Sequence, residues 1–294
     1  MALTIGFLGT GIMGAPMARH LGRAGHAVRA WNRSPDKAAA LAQDGVSLAA
    51  DPRAAAQGAD VVVCMLSSGP VCDEILLGSG GVLPAMAPGS LLVVMSSIPV
   101  ETAQRQAAAA AEAGLLYVDA PVSGGERGAV AGTLAIMAGG SPEAFARAEP
   151  VLSAMGRPTH VGPAGCGQLA KLANQAIVAS TIVTVAEAIT FVERGGADPA
   201  KVREALLGGF ADSTILKQHA LRMIERDFAP GGPAKYQVKD TGTALSHAAT
   251  LGLTLPVLSL VDGLFSEMVA EGDGDLDHSA VIRALQRRNG LPLG

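Results

Sequence analysis

Residues 3–34 read LTIGFLGTGIMGAPMARHLGRAGHAVRAWNRS. A short apolar strand candidate runs directly into Gly9, Gly11 and Gly14, spaced G-x-G-x-x-G, and the last of these opens a helical segment. A second strand candidate, HAVRAW, follows within about 30 residues, as a strand–helix–strand unit requires. In that setting each glycine has a physical task. The first makes the tight turn, the second lets the backbone approach a pyrophosphate, and the third admits close helix–strand contact. The helix start then offers free N–H groups and a positive dipole end to phosphate. The segment predicts a parallel α/β sheet that binds a dinucleotide on its first turn, with Ile12 and Met13 completing the loop.

The rhythm continues. LTIGFL, HAVRAW, DVVVCML, SLLVVM, LLYVDA and TLAIMAGG are strand candidates separated by Ala-rich helical stretches. Several are apolar at nearly every position, which suits strands covered by helices on both faces. After VGPAGCG the strand signals fade and helices separated by Gly/Pro turns take over. The expectation is an α/β Rossmann-like N-terminal domain, residues 1–163, and an all-α C-terminal domain, residues 164–294. The second opens on a helix of up to roughly 30 residues, about 45 Å long.

An NAD site usually places Asp or Glu at the end of the second strand, against the ribose 2′-hydroxyl. This chain has Asn32, Arg33 and Ser34 there. A guanidinium and a hydroxyl suit a 2′-phosphate, so NADP is expected to be preferred, with NAD as the second choice. Met65 and Leu66, at the end of DVVVCML, are further cofactor candidates.

The composition excludes other classes. A net charge of −4 and 3% aromatic residues provide neither a basic field nor a stacking surface for nucleic acid. The three cysteines follow no CxxC pattern and the six histidines form no i,i+4 pair, so neither a disulfide framework nor a metal site is expected. A reducing, cytoplasmic location fits the cysteines. Gly and Pro interrupt the uncharged stretches 1–18 and 75–100, and neither reads as a signal peptide or membrane span.

Three more stretches carry chemistry: VVMSSIPVET around Ser96, VDAPVSGGERGAVAGTLAIMAGG around Ser123, and GCGQLAKLANQ around Lys171. With the glycine segment and the late YQVKD they resemble, in order and spacing, the β-hydroxyacid dehydrogenase family, and the likeness runs essentially end to end. The resemblance implies an active site between a Rossmann-like and an all-α domain, and a homodimer or homotetramer. It also implies that Lys171 is catalytic and that Ser123, Gly124 and Gly125 bind substrate. Ser96 would then touch nicotinamide and substrate, and Lys239 would close over the cofactor. Many members have K-x-x-N-N where this chain has Lys171, Asn174 and Gln175, a variant like the tartronate semialdehyde reductase branch.

The residues support these roles independently. Adding a hydride to a carbonyl leaves an alkoxide, which needs a proton donor in reach. A lysine ammonium can stabilise that charge and transfer the proton, and partial desolvation makes a lysine a usable base in reverse. Asn174 and Gln175 share its helix face, where an amide can orient the substrate. Alone, Lys171 reads as a lysine snorkelling out at a helix end; with the other motifs, catalysis is favoured. The serine hydroxyl and glycine N–H groups of PVSGG can cradle a carboxylate, with Asp119 fixing the loop. Phe210, Asp212, Ser213 and Thr214 are candidates for lining the substrate pocket. The expected substrate is a short 3-hydroxy acid or its 3-oxo acid or semialdehyde. Alternatives are a succinic semialdehyde or glyoxylate reductase, an imine reductase, or a non-catalytic NADP-binding module.

Overall fold

The computed structural model describes residues 2–35 and 40–293, and the chain divides into two compact units, Met1–Lys171 and Leu172–Gly294. The first is built on a sheet of β1 (Thr4–Leu8), β2 (Ala27–Trp31), β3 (Ser47–Leu48), β4 (Val61–Cys64), β5 (Leu91–Val94), β6 (Leu116–Asp119), β7 (Val122–Ser123), β8 (Leu134–Gly140) and β9 (Gly156–Gly162). Between them in sequence come α1 (Gly14–Arg23), α2 (Pro52–Ala56), α3 (Gly69–Leu77), α4 (Val100–Glu112), α5 (Gly125–Ala131) and α6 (Pro142–Ser153). The six strand candidates in the sequence are all present.

The strands lie in the order β3-β2-β1-β4-β5-β6-β8-β7, with β9 on β8. Pairing is parallel from β3 through β6, and β8 runs antiparallel to both β6 and β7. Because the order steps away from β1 in both directions, its reversal lies beside the carboxyl ends of β1 and β4, where open α/β sheets bind ligands. Successive residues feed opposite faces. Phe7, Val61, Val63, Leu91 and Val93 enter one buried cluster, while Leu8, Val62, Cys64, Leu92 and Val94 enter the other. Register aligns the strand ends: Leu8 pairs with Cys64, Cys64 with Val94, and Val94 with Asp119. The chain leaves these ends as the loops that carry the candidate residues.

α7 (Cys166–Arg194) starts in the first unit, and the boundary at Lys171 falls inside it. The second unit is helical: the rest of α7, then α8 (Pro199–Leu206), α9 (Thr214–Glu225), α10 (Ala234–Thr250), α11 (Pro256–Met268) and α12 (Val281–Arg288). Ala179, Ile182, Val183, Ala186 and Ile189 recur at helical spacing along α7. They pack with Met223, Phe265 and Ile282 in a core separate from those of the sheet. Asp198 and Ser213 cap α8 and α9 by accepting N–H bonds from the first turn of each. Among the described residues α7 is the helix long and apolar enough to cross a membrane, with mean hydropathy 1.7, and 39% of that window is buried.

Candidate active site

The glycine loop links β1 to α1. Gly9 has φ +100°, which L side chains rarely adopt, and a Cβ there would run into the Met65 carbonyl. On Gly14 a Cβ would run into the Gly9 carbonyl and come within 3.1 Å of the Phe7 ring. Gly11 differs, since nothing lies within 4 Å of where its Cβ would be. Open space beside the middle glycine, at a helix start without a side-chain cap, is the setting a pyrophosphate needs. The residues present fit a dinucleotide: Gly9, Gly11, Ile12, Met13 and Gly14 would hold its phosphates.

Asn32, at the end of β2, shapes this loop. Its Oδ1 accepts the Thr10 N–H at 3.0 Å and its Nδ2 donates to the Ser34 carbonyl at 3.0 Å. The Gly9 N–H donates to the Trp31 carbonyl at 2.8 Å. The loop is thus fastened to the turn that presents Arg33 and Ser34, both exposed. Beyond β4, the Met65 N–H donates to the Leu8 carbonyl at 2.8 Å and the Leu66 N–H to the Ser96 hydroxyl at 2.7 Å. Ser96 is buried and donates weakly, at 3.5 Å, to the Cys64 carbonyl. Cys64 and Cys72, unremarkable in sequence spacing, bring their Sγ atoms to 3.8 Å as free thiols.

Ser123 closes β7, paired with Ala135 of β8. Gly124 and Gly125 follow at φ +136° and +59°, and α5 opens at Gly125 without a side-chain cap. The backbone conformation itself therefore calls for glycine at both positions.

Asp119 ends β6 and is buried. Its Oδ1 accepts the Gly165 N–H at 2.7 Å and its Oδ2 the Gln168 N–H at 2.8 Å. Burial pushes its pKa up to about 6, although these N–H donors favour the charged form. Packing is close enough that a Cβ on Gly139 or Gly167 would lie 2.7 Å from a carboxylate oxygen. The sequence suggests that Asp119 fixes its own loop; the carboxylate in fact holds the opening of α7. The Gln168 side chain reaches back to the sheet, its Nε2 donating to the Ser96 carbonyl at 2.9 Å and its Oε1 accepting the Ile98 N–H at 3.1 Å. Lys171 follows one turn later, partly exposed.

In the second unit, Asn174 Nδ2 donates to Gln175 Oε1 at 2.9 Å, and Gln175 Nε2 donates to Asp240 Oδ2 at 2.6 Å. Lys239 Nζ lies 3.4 Å from Asp240 Oδ1. Asn174, Gln175 and Lys239 are thus joined in one chain of contacts that runs through Asp240, the last residue of YQVKD. Phe210 is exposed. Asp212 Oδ2 accepts the Gly208 N–H at 3.1 Å and pairs with Lys217 at 2.8 Å.

His219, Asp277 and His278 also meet, their potential ligand atoms within 4.8 Å of one another. Asp277 Oδ1 accepts from the Ser279 N–H at 3.0 Å and hydroxyl at 2.6 Å. Its Oδ2 accepts the N–H groups of Gly231 and Gly232, each at 3.0 Å, with Arg222 at 3.2 Å. With both oxygens engaged, the cluster works as a tie between the segments before α10 and α12. Burial lowers the His219 pKa to about 4, with His278 and Arg222 adding to the effect and Asp277 opposing it.

Two family models account for most of the chain. Residues 4–165 match the NAD binding domain of 6-phosphogluconate dehydrogenase, and residues 165–285 match the NAD-binding segment of NADP-dependent 3-hydroxyisobutyrate dehydrogenase. The chain belongs to the β-hydroxyacid dehydrogenase family. It is similar to Escherichia coli 2-hydroxy-3-oxopropionate reductase, 43% identical over 97% of each chain. A Mycobacterium tuberculosis 3-hydroxyisobutyrate dehydrogenase structure with L-serine matches with TM-score 0.88 and 36% identity, over 97% of this chain and 100% of that one. Psf3 in complex with NADP+ and 2-OPP matches with TM-score 0.85 and 25% identity, over 96% and 99%. The chain is thus an NAD(P)-dependent β-hydroxyacid dehydrogenase with a nicotinamide-cofactor fold. In this dehydrogenase the residue that sequence reasoning overlooked is Gln168. The available signal was a polar side chain three positions before Lys171 in an otherwise apolar turn.

Proposed function

We propose that this enzyme reduces a short semialdehyde or 3-oxo acid, of the tartronate semialdehyde or 3-hydroxyisobutyrate type, to the 3-hydroxy acid with NADPH preferred. The observation that carries the reading is Lys171 at the opening of α7, in a turn fastened to the β5 and β6 ends. Likeness to the E. coli reductase over nearly all of both chains supports the substrate class. The chemistry supplied by the bound dinucleotide is a hydride at its nicotinamide. Lys171 stabilises the resulting alkoxide through an ammonium N–H and gives it the proton; in oxidation the neutral amine takes the hydroxyl proton. Ser123 and the N–H groups of Gly124 and Gly125 hold the substrate carboxylate, Asn174 and Gln175 orient the substrate, Ser96 lies near the nicotinamide, and Lys239 contacts the cofactor.

The test is single-turnover NADPH oxidation with tartronate semialdehyde by Lys171→Met. Turnover is expected to fall roughly 10²- to 10⁴-fold with NADPH binding intact; a rate within threefold of the parent removes the assignment. For cofactor choice, Arg33→Ala is expected to weaken NADPH, and not NADH, by about 10- to 100-fold. Equal dissociation constants for the two in the parent overturn the preference. Free cysteines support work in the reducing cytoplasm. Ile177 and Phe191 on α7 and Val257 and Leu260 on α11 are exposed, which supports a homodimer or homotetramer. Sedimentation of the enzyme as a monomer at micromolar concentration would refute that state.

A further inference from the structure

We propose that Gln168 is a positioning residue that sets Lys171 against the Ser96 segment, with Asp119 as its backbone anchor, an assignment that rests on Lys171 being the proton donor. Gln168 is 1% exposed, and a buried primary amide must find partners or cost stability. Its partners are backbone groups of residues 96 and 98, one donor and one acceptor, so the amide clips the helix onto the chain just beyond β5. The same Ser96 uses its hydroxyl to receive the Leu66 N–H beyond β4. Asp119, ending β6, takes the N–H of Gln168 itself. The ends of β5 and β6 therefore both hold Gln168 directly, and the end of β4 is joined to them through the Ser96 hydroxyl.

Gln168 and Lys171 are three positions apart, a spacing that places side chains as neighbours on a helix surface. The helix turns about 100° per residue, so the orientation of the opening turn decides where the Lys171 amine is delivered. No helical turn precedes Cys166, so the clip and the carboxylate together replace the restraint that an upstream turn would give. Misplacing a reacting group by about 1 Å can cost on the order of 100-fold in rate. Gln168 touches no reacting atom in this scheme; it acts through Lys171.

Two variants test it. Gln168→Met keeps the side-chain volume and removes both hydrogen bonds, whereas Gln168→Glu keeps the acceptor for Ile98 and loses the donor to Ser96. The measurements are kcat and KM with tartronate semialdehyde at a temperature well below melting, NADPH affinity by fluorescence, and the melting temperature. Gln168→Met is expected to lower kcat by about 10- to 100-fold, leaving KM and NADPH affinity within about threefold, with Gln168→Glu intermediate. In a Lys171→Met background, Gln168→Met is expected to add no further loss. A purely structural role would lower melting in every background and leave kcat at low temperature unchanged. Either that outcome, or a full additional loss in the double variant, overturns the proposal. If Gln168→Met does not fold, Gln168→Glu carries the same comparison. Loss of turnover in Lys171→Met alongside parental kcat in the Gln168 variants overturns this inference alone; parental turnover in Lys171→Met overturns both assignments.

Discussion

In the first unit Asn32, Ser96, Asp119 and Gln168 each bond to backbone groups distant in sequence, whereas in the second Asp240 bonds through its side chain to both Gln175 and Lys239. The difference has a chemical consequence. Backbone partners exist whatever the side chains are, so the first arrangement is fixed by strand register and by glycines. A side-chain network is rebuilt by each substitution, as the extra methylene of Gln175 illustrates by reaching Asp240 in place of the shorter amide common in the family. The dinucleotide fit belongs to the first kind of site; the second kind changes with single side chains.

The largest effect that would break this comparison is in the glycine loop. Gly14→Ala drives a Cβ into the backbone, and overpacking of about 3 kcal/mol should lower melting on the order of 10 °C, with loss of NADPH binding. Gly11→Ala meets open space. It should melt like the parent and bind NADPH about 10- to 100-fold more weakly, the equivalent of one charge-assisted contact. Equal melting losses in the two variants would mean that the middle glycine is a packing residue too.

A smaller effect separates the units by pH. The raised Asp119 pKa means its contribution to stability is complete below about 3.8 and is lost as pH rises through about 6. The lowered His219 pKa has the opposite sign: its contribution is complete above 6.5 and is lost as pH falls through about 4. Acidification from pH 6.5 to 4.5 should therefore raise protection against hydrogen exchange near β6 and lower it in α9 and around Asp277, measured relative to the intrinsic exchange rate at each pH, each on the order of 1 kcal/mol. Changes of the same sign in both places would show that these two groups do not govern the response.

What the sequence made legible follows the same division. The six apolar strands and the glycine turn are written in local patterns. The β9 strand, GRPTHVG, is mostly exposed and carries no alternation, so its pairing with β8 appears only once β8 is in place. The grip of Asp119 on Gln168 spans 49 positions, and that of Asp240 on Gln175 spans 65. His219 meets Asp277 and His278 only through the packing of α9 against the segment before α12. No local periodicity reports such meetings, because tertiary packing creates them.

The unit boundary inside α7 bears on how the chain is made. Synthesis delivers the sheet first, with the β6 carboxylate in place but its donors at Gly165 and Gln168 still to come. Until the ribosome has released the first turns of α7, the nascent sheet holds a carboxylate with neither of these donors, and Ser96 and Ile98 await the Gln168 amide. A gene fragment cut at residue 163 would freeze that unfinished state. A self-sufficient nucleotide-binding fragment has to carry the opening of the next helix with it.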